Sequence, residues 1–122
     1  MNRPTSTSLA ELTDRLIAFR DARDWQQFHS LKNLILSVSL ESAELLELTQ
    51  WKGDDAVETA VADPAFRDRL AEECADVLLY LLLIAERADF DLATAAAAKI
   101  ETNEAKYPVD KSRGNARKYT EL

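Results

Sequence analysis

Apolar residues recur three and four positions apart along most of this chain, the spacing of helices with one buried face. Leu9, Leu12, Leu16 and Phe19 form the first stripe. Ser8 precedes it with Glu11 three residues on, a capping-box spacing in which each side chain can satisfy the other's backbone N–H. The pattern predicts a first helix that fades near Asp24. After a link from Trp25 to His29, a second helix is predicted over about Ser30 to Gln50. Its stripe is Leu31, Leu34, Ile35, Val38, Ser42, Leu45 and Leu46, broadened by Leu48. Lys52-Gly53-Asp54-Asp55 is turn chemistry that ends it. Ala56 to Ala62 reads either as loop or as a short helical turn.

Asp63-Pro64 opens a third helix, an N-cap acceptor followed by a proline at the first helical position, and the pattern carries it to about Ala88. Asp91 caps a fourth through Ala93, Ala96, Ala97 and Ile100, ending before Pro108, which cannot extend it. From Val109 to Leu122 the chain reads as a basic extension without a core pattern, carrying Lys111, Arg113, Arg117 and Lys118. Two glycines and three prolines are too few turn residues for a many-stranded sandwich or barrel. The expected fold is all-α, a four-helix bundle.

Two segments bear on assembly. Val77 to Ile84 is apolar on every face and must be covered on all sides. Ala95 to Ala98 offers a flat surface for close packing. With short loops, a second subunit is the expected cover, so the bundle is predicted to be completed by homo-oligomerisation as a dimer or tetramer.

The length of 122 residues is that of one domain, taken as 1–122 with residues 1–7 frayed and 109–122 a basic tail. A net charge of −7 argues against non-specific nucleic-acid binding. The longest apolar run, Val77 to Ala85, is too short to span a bilayer, and the polar N-terminus lacks the apolar stretch of a signal peptide. A single cysteine, Cys74, excludes an intramolecular disulfide and fits a cytoplasmic protein.

Candidate chemistry lies in four carboxylates. Glu41 and Glu44 are three apart on the second predicted helix, Glu73 and Asp76 three apart on the third, so each pair projects to one side of its helix. If the two helices pair antiparallel, the pairs face each other. Both have apolar neighbours, and converging carboxylates repel unless a cation neutralises them. Hard oxygen donors without histidine or thiol favour Mg²⁺ or Mn²⁺ over zinc. The same spacing also fits the solvated faces of two amphipathic helices. A di-iron bundle needs Glu-x-x-His on two helices, and the single histidine, His29, stands outside both pairs.

The run Leu40-Glu41-Ser42-Ala43-Glu44-Leu45-Leu46-Glu47-Leu48-Thr49-Gln50-Trp51, followed by Glu72-Glu73-Cys74-Ala75-Asp76-Val77-Leu78-Leu79-Tyr80, resembles the all-α nucleoside triphosphate pyrophosphohydrolases. More closely it is similar to the MazG-like dCTP pyrophosphatase branch. Arg23-Asp24-Trp25, Phe28-His29, Asn33-Leu34, Lys99-Ile100, Thr102-Asn103, Lys106-Tyr107-Pro108 and Lys118-Tyr119-Thr120-Glu121-Leu122 extend the resemblance over residues 8 to 122. The resemblance implies hydrolysis of a nucleoside triphosphate between the α and β phosphates, a Mg²⁺ cofactor, and a dimeric or tetrameric assembly in which a neighbouring chain completes the nucleoside pocket. It implies Glu41, Glu44, Glu73 and Asp76 as metal ligands, Trp25, Trp51 and Tyr80 around the nucleoside, and Lys99 and Asn103 on the phosphate side. Glu44 or Glu47 is the candidate to position or deprotonate the attacking water. Animal members carry a histidine on the first helix near the base, where this chain reads Leu16-Ile17.

Each assignment has a plainer counterpart. Trp51 also reads as a core or interface aromatic, Tyr80 as one more member of an apolar run, and Lys99 as a lysine reaching for solvent. His29 is expected to be a structural hydrogen-bonder and Cys74 to be packing. For the whole chain the competing class is a non-catalytic oligomerisation or regulatory module that keeps the fold.

Overall fold

The computed structural model describes residues 7–122, so most of the segment expected to be frayed lies outside it. It contains six α-helices and two short 3₁₀ turns among the described residues, with no strand. The four long helices are those expected from the stripes. Two compact units emerge, one ending at Asp89 and the other spanning Phe90–Leu122.

In the first unit α1 spans Leu9–Ala22, with the Ser8 side chain accepting from the Glu11 backbone N–H at 3.1 Å. The Arg20 carbonyl accepts from the N–H groups of both Arg23 and Trp25, and Asp24 takes the left-handed conformation at φ 53°. That corner stops the helix and turns the chain into a 3₁₀ turn at Gln26–Phe28. Helix α2 covers Leu31–Glu47, capped by Ser30, whose Oγ accepts from Asn33 N–H at 3.1 Å. The second helix therefore ends three residues before Gln50. Thr49 and Gln50 donate instead to carbonyls three residues back, which tightens the exit, and Trp51 sits at φ 67°.

The undecided stretch after Gly53 is a helix, α3, at Asp54–Ala60. Helix α4 spans Pro64–Ala88, capped by Asp63 and ended by Asp89 in the left-handed region at φ 60°. It is the central element, packing chiefly against α2 and also against α1.

The core of this unit is thin. Leu34, Leu48, Leu82, Leu83 and Ala85 are buried. The stripe expected on α2 is only partly covered: Leu31, Ile35 and Leu46 are exposed while Val38 and Leu45 are half-buried. A single chain puts one layer of helix on α2, and a wide stripe needs two. The run Val77 to Ile84 shows the same shortfall, since only Leu82 and Leu83 are fully buried.

In the second unit α5 spans Leu92–Lys106, with Asp91 accepting from Thr94 N–H at 2.9 Å. A bond donated by the Thr94 hydroxyl at 2.6 Å, with this backbone bond second, holds the Asp91 carboxyl below its ordinary value. The tail is more ordered than its composition suggests. It forms α6 at Val109–Ser112 and a 3₁₀ turn at Tyr119–Glu121, and Tyr119 meets Tyr107 edge to face at 6.1 Å with Lys106 Nζ over its ring.

Leu34 is 2% exposed at the α2 side of the core. Leu34→Ala should lower unfolding free energy by about 2–5 kcal/mol, as cavity-forming substitutions of buried leucine do. Urea denaturation followed by circular dichroism reads this out, and a loss below 1 kcal/mol would contradict a tightly packed α2–α4 contact.

Candidate metal centre

Glu41 and Glu44 lie on α2 and Glu73 and Asp76 on α4, each pair less than one turn apart. The packing of α2 on α4 brings the pairs together: one carboxylate oxygen from each of the four lies within 4.8 Å of the others. Glu41 and Glu73 are half-buried, whereas Glu44 and Asp76 open to solvent. Glu41 Oε2 and Glu73 Oε2 are buried without any hydrogen-bond partner.

Two orphaned carboxylate oxygens facing two further carboxylates form an unfavourable arrangement in the metal-free chain. Loss of solvation is the largest influence raising the Glu41 pKa, followed by hydrogen bonding to Glu44 and repulsion from Glu44, Asp76 and Glu73. Glu73 is raised by the same causes, again led by loss of solvation, and Arg69 offsets part of the effect. A donor set of four hard oxygens, two of them unsatisfied, can hold a metal ion.

Against this cluster lies a cavity of about 260 Å³ lined by Leu16, Phe19, Arg20, Trp25, His29, Asp76, Leu79, Tyr80 and Leu83. Asp76 belongs to both cluster and cavity. Its helical neighbours Leu79, Tyr80 and Leu83 follow at three, four and seven residues, so α4 supplies a ligand candidate and one wall from a single face. Trp25 is fixed edge to face against Phe19 at 5.7 Å.

The expected residues do not all come together. Glu41, Glu44, Glu73 and Asp76 converge, with Trp25 and Tyr80 at the adjoining cavity. Glu47 ends α2 one turn beyond Glu44, exposed and outside the cluster. Trp51 is 95% exposed and does not line the cavity, so it is not a core aromatic of this chain. Its left-handed backbone is strained for a bulky residue, costing about 1–2 kcal/mol. Lys99 and Asn103 are exposed on α5, in the second unit.

Two readings change, and one residue enters that the sequence did not single out. Cys74 is exposed rather than packed, because its position on α4 turns away from α2 and α1. His29 is not a satisfied structural histidine: its Nδ1 is buried with no partner, and burial, then Arg20 and Arg87, lower its pKa. Arg20, which carried no periodic or spacing signal, is buried at the cavity.

Glu41 and Glu73 hold protons to higher pH in the folded chain than in the unfolded one. The stability tied to them is present below the ordinary glutamate range and lost as pH rises through the raised values. In chelator, Glu41→Gln should therefore flatten this decline and raise the melting temperature at pH 7. A variant melting below wild type at neutral pH in chelator would show that the carboxylate is not under repulsion.

Comparison with known proteins follows this geometry. The MazG-like family matches residues 36–122. The chain is 46% identical over 104 residues to dCTP pyrophosphatase 1 of Rattus norvegicus, covering 85% of this chain and 61% of the relative. It is 43% identical over 104 residues to dCTP pyrophosphatase 1 of Homo sapiens, again covering 85% and 61%. The chain thus spans about three-fifths of the length of the curated relatives it matches. A solved pyrophosphatase from Archaeoglobus fulgidus shares 38% identity and superposes with a TM-score of 0.76, over 88% of this chain and 99% of that one. With the family pattern reaching across both carboxylate pairs and the fold shared with a solved relative over 88% of its length, the chain belongs to the MazG-like family.

Proposed function

We propose that this chain is a metal-dependent nucleoside triphosphate pyrophosphohydrolase, converting a (d)NTP and water to the monophosphate and diphosphate, with dCTP-like substrates favoured. The observation that carries the proposal is the convergence of Glu41, Glu44, Glu73 and Asp76 with two unsatisfied buried oxygens. The names of the relatives, dCTP pyrophosphatase 1 and pyrophosphatase, support the reaction class.

In this reading the four carboxylates hold Mg²⁺, or Mn²⁺ in its place. Held there, the ion would supply charge neutralisation on the triphosphate. Glu44, exposed at the cluster, or Glu47 one turn further, accepts a proton from the attacking water. The water oxygen bonds to the α-phosphorus, the bond to the bridging oxygen breaks, and diphosphate leaves. Trp25 and Tyr80 provide flat faces for the base in the cavity that Asp76 joins to the cluster. We assign Trp51 to the nucleoside as an exposed stacking face, and Lys99 and Asn103 to the phosphates, on the family resemblance of their positions.

The reading includes a cytoplasmic homo-oligomer. On α2, Leu36, Leu40 and Leu46 are 55%, 59% and 69% exposed, an apolar face that a soluble chain ordinarily covers. No helix among the described residues is long and apolar enough to cross a membrane.

Purified protein incubated with Mg²⁺ and a panel of dNTPs and NTPs should release diphosphate, with release abolished by EDTA. A panel without diphosphate release would overturn the proposal and favour the non-catalytic module. Asp76→Asn should reduce turnover by more than about 100-fold, beyond the loss typical of residues that merely support a ligand. Light scattering at micromolar concentration should give a dimer or tetramer, and a mass near 13.7 kDa with full activity would overturn the assembly.

A further inference from the structure

Arg20 is the buried charged side chain of the described core, 5% exposed, and it forms part of the cavity wall with Trp25, His29 and Asp76. Its Nε–H donates to Asp21 Oδ1 at 2.9 Å and its Nη1 to Glu86 Oε2 at 3.0 Å. Two carboxylates on two edges of a planar guanidinium fix both its position and its plane. The remaining nitrogen, Nη2, has no acceptor among the described residues. A residue so deeply buried that still lines the cavity offers this leftover donor to whatever occupies the space.

We propose that Arg20 is a specificity-determining residue that reads the base of the bound nucleotide, Nη2 donating to a carbonyl or ring-nitrogen acceptor on the base edge. This rests on the cavity being the nucleoside end of the hydrolase site. The charge balance decides between base and phosphate. The guanidinium already bonds two carboxylates, Asp21 and Glu86, so its charge is more than offset at its own contacts and a phosphate approaching it meets net repulsion. A neutral acceptor meets no such repulsion and still gains a hydrogen bond from a charged donor. The other polar group on the wall, His29, stays uncharged because burial and the cations Arg20 and Arg87 disfavour its protonation. Phe19, Trp25 and Tyr80 add aromatic surface to the wall beside Leu16, Leu79 and Leu83, which suits a flat heterocycle. Arg20 also carries the corner that places Trp25, since its carbonyl accepts the Trp25 N–H at 3.1 Å. The donor and the stacking face are therefore held by one residue.

Removing Arg20 alone would strand Glu86, so the informative variant is the double substitution Arg20→Met with Glu86→Met, the other partner, Asp21, being exposed and free to hydrate. Arg20→Lys keeps the charge but loses the planar fork, and serves if the double variant folds poorly. Calorimetric titration of free deoxycytidine, thymidine, deoxyadenosine and deoxyguanosine onto the metal-free proteins reads the base contact without turnover. At least one nucleoside should bind the wild type and bind about 10-fold more weakly to both variants, the loss of one charge-assisted hydrogen bond. In steady-state kinetics with Mg²⁺, KM for the preferred dNTP should rise by a similar factor while kcat holds within about 3-fold. 2-Deoxyribose 5-triphosphate, which has no base, should not distinguish variant from wild type. Variants that bind nucleosides as tightly as wild type, or that lose kcat equally on substrates with and without a base, would overturn the assignment, as would a wild type that binds no nucleoside. Nucleoside binding through Arg20 with no diphosphate released from any triphosphate would instead refute the hydrolase reading alone.

Discussion

Four carboxylates held within a few ångströms of one another repel, and this chain holds them there through the contact between α2 and α4. The cost is visible in the raised proton affinity of Glu41 and Glu73 and in the oxygens on each that find no donor. What opposes the repulsion is apolar packing along the same helix pair, centred on Leu34, Leu82 and Leu83. Because each pair of acids is three residues apart on its own helix, the relative register of the two helices is all that decides whether the pairs meet. A slip of one turn along either axis, about 5 Å, would separate them. The seam is therefore both the main structural contact of the first unit and the frame of its charge cluster.

The second consequence of that seam is the cavity. Helix α4 presents Asp76, Leu79, Tyr80 and Leu83 along one face, so the wall begins at the carboxylate cluster itself. The opposite wall comes from α1 and the corner after it, where Asp24 adopts a left-handed conformation and Trp25 turns back against Phe19. Arg20 ties the two walls together through Glu86. The carboxylate cluster lies between α2 and α4 and the largely apolar cavity between α1 and α4, so α4 serves both.

The thinness of the core follows from the same economy of elements. Few side chains in the first unit are fully enclosed, and the outer face of α2 keeps Leu36, Leu40 and Leu46 in the open. A helix that carries acidic groups toward its neighbour on one face and leucines on the other has no purely solvated side. Trp51 adds to this exposed apolar character in a backbone conformation that aromatic residues rarely accept.

Elements whose causes are local were legible in the sequence. The caps at Ser8, Asp63 and Asp91 act over two or three residues, and each helix start appears where its cap stands. The carboxylate pairs follow from helical periodicity together with one assumption, that the second and third predicted helices run side by side. Tertiary structure alone decided the rest. Arg20 looked like any surface arginine because the partner that makes it buried, Glu86, lies 66 residues away. Only part of the α2 stripe is covered, because periodicity states which residues can share a face and not how many neighbours will come to meet it. The isolation of His29 Nδ1 and the exposure of Cys74 are likewise properties of what packs nearby. The tail held its order in aromatic and cation contacts among Lys106, Tyr107 and Tyr119, which no stripe announces. Hydrogen bonds and periodicity within a few residues are written in the chain; burial and charge pairing depend on distances that exist only after the helices have packed.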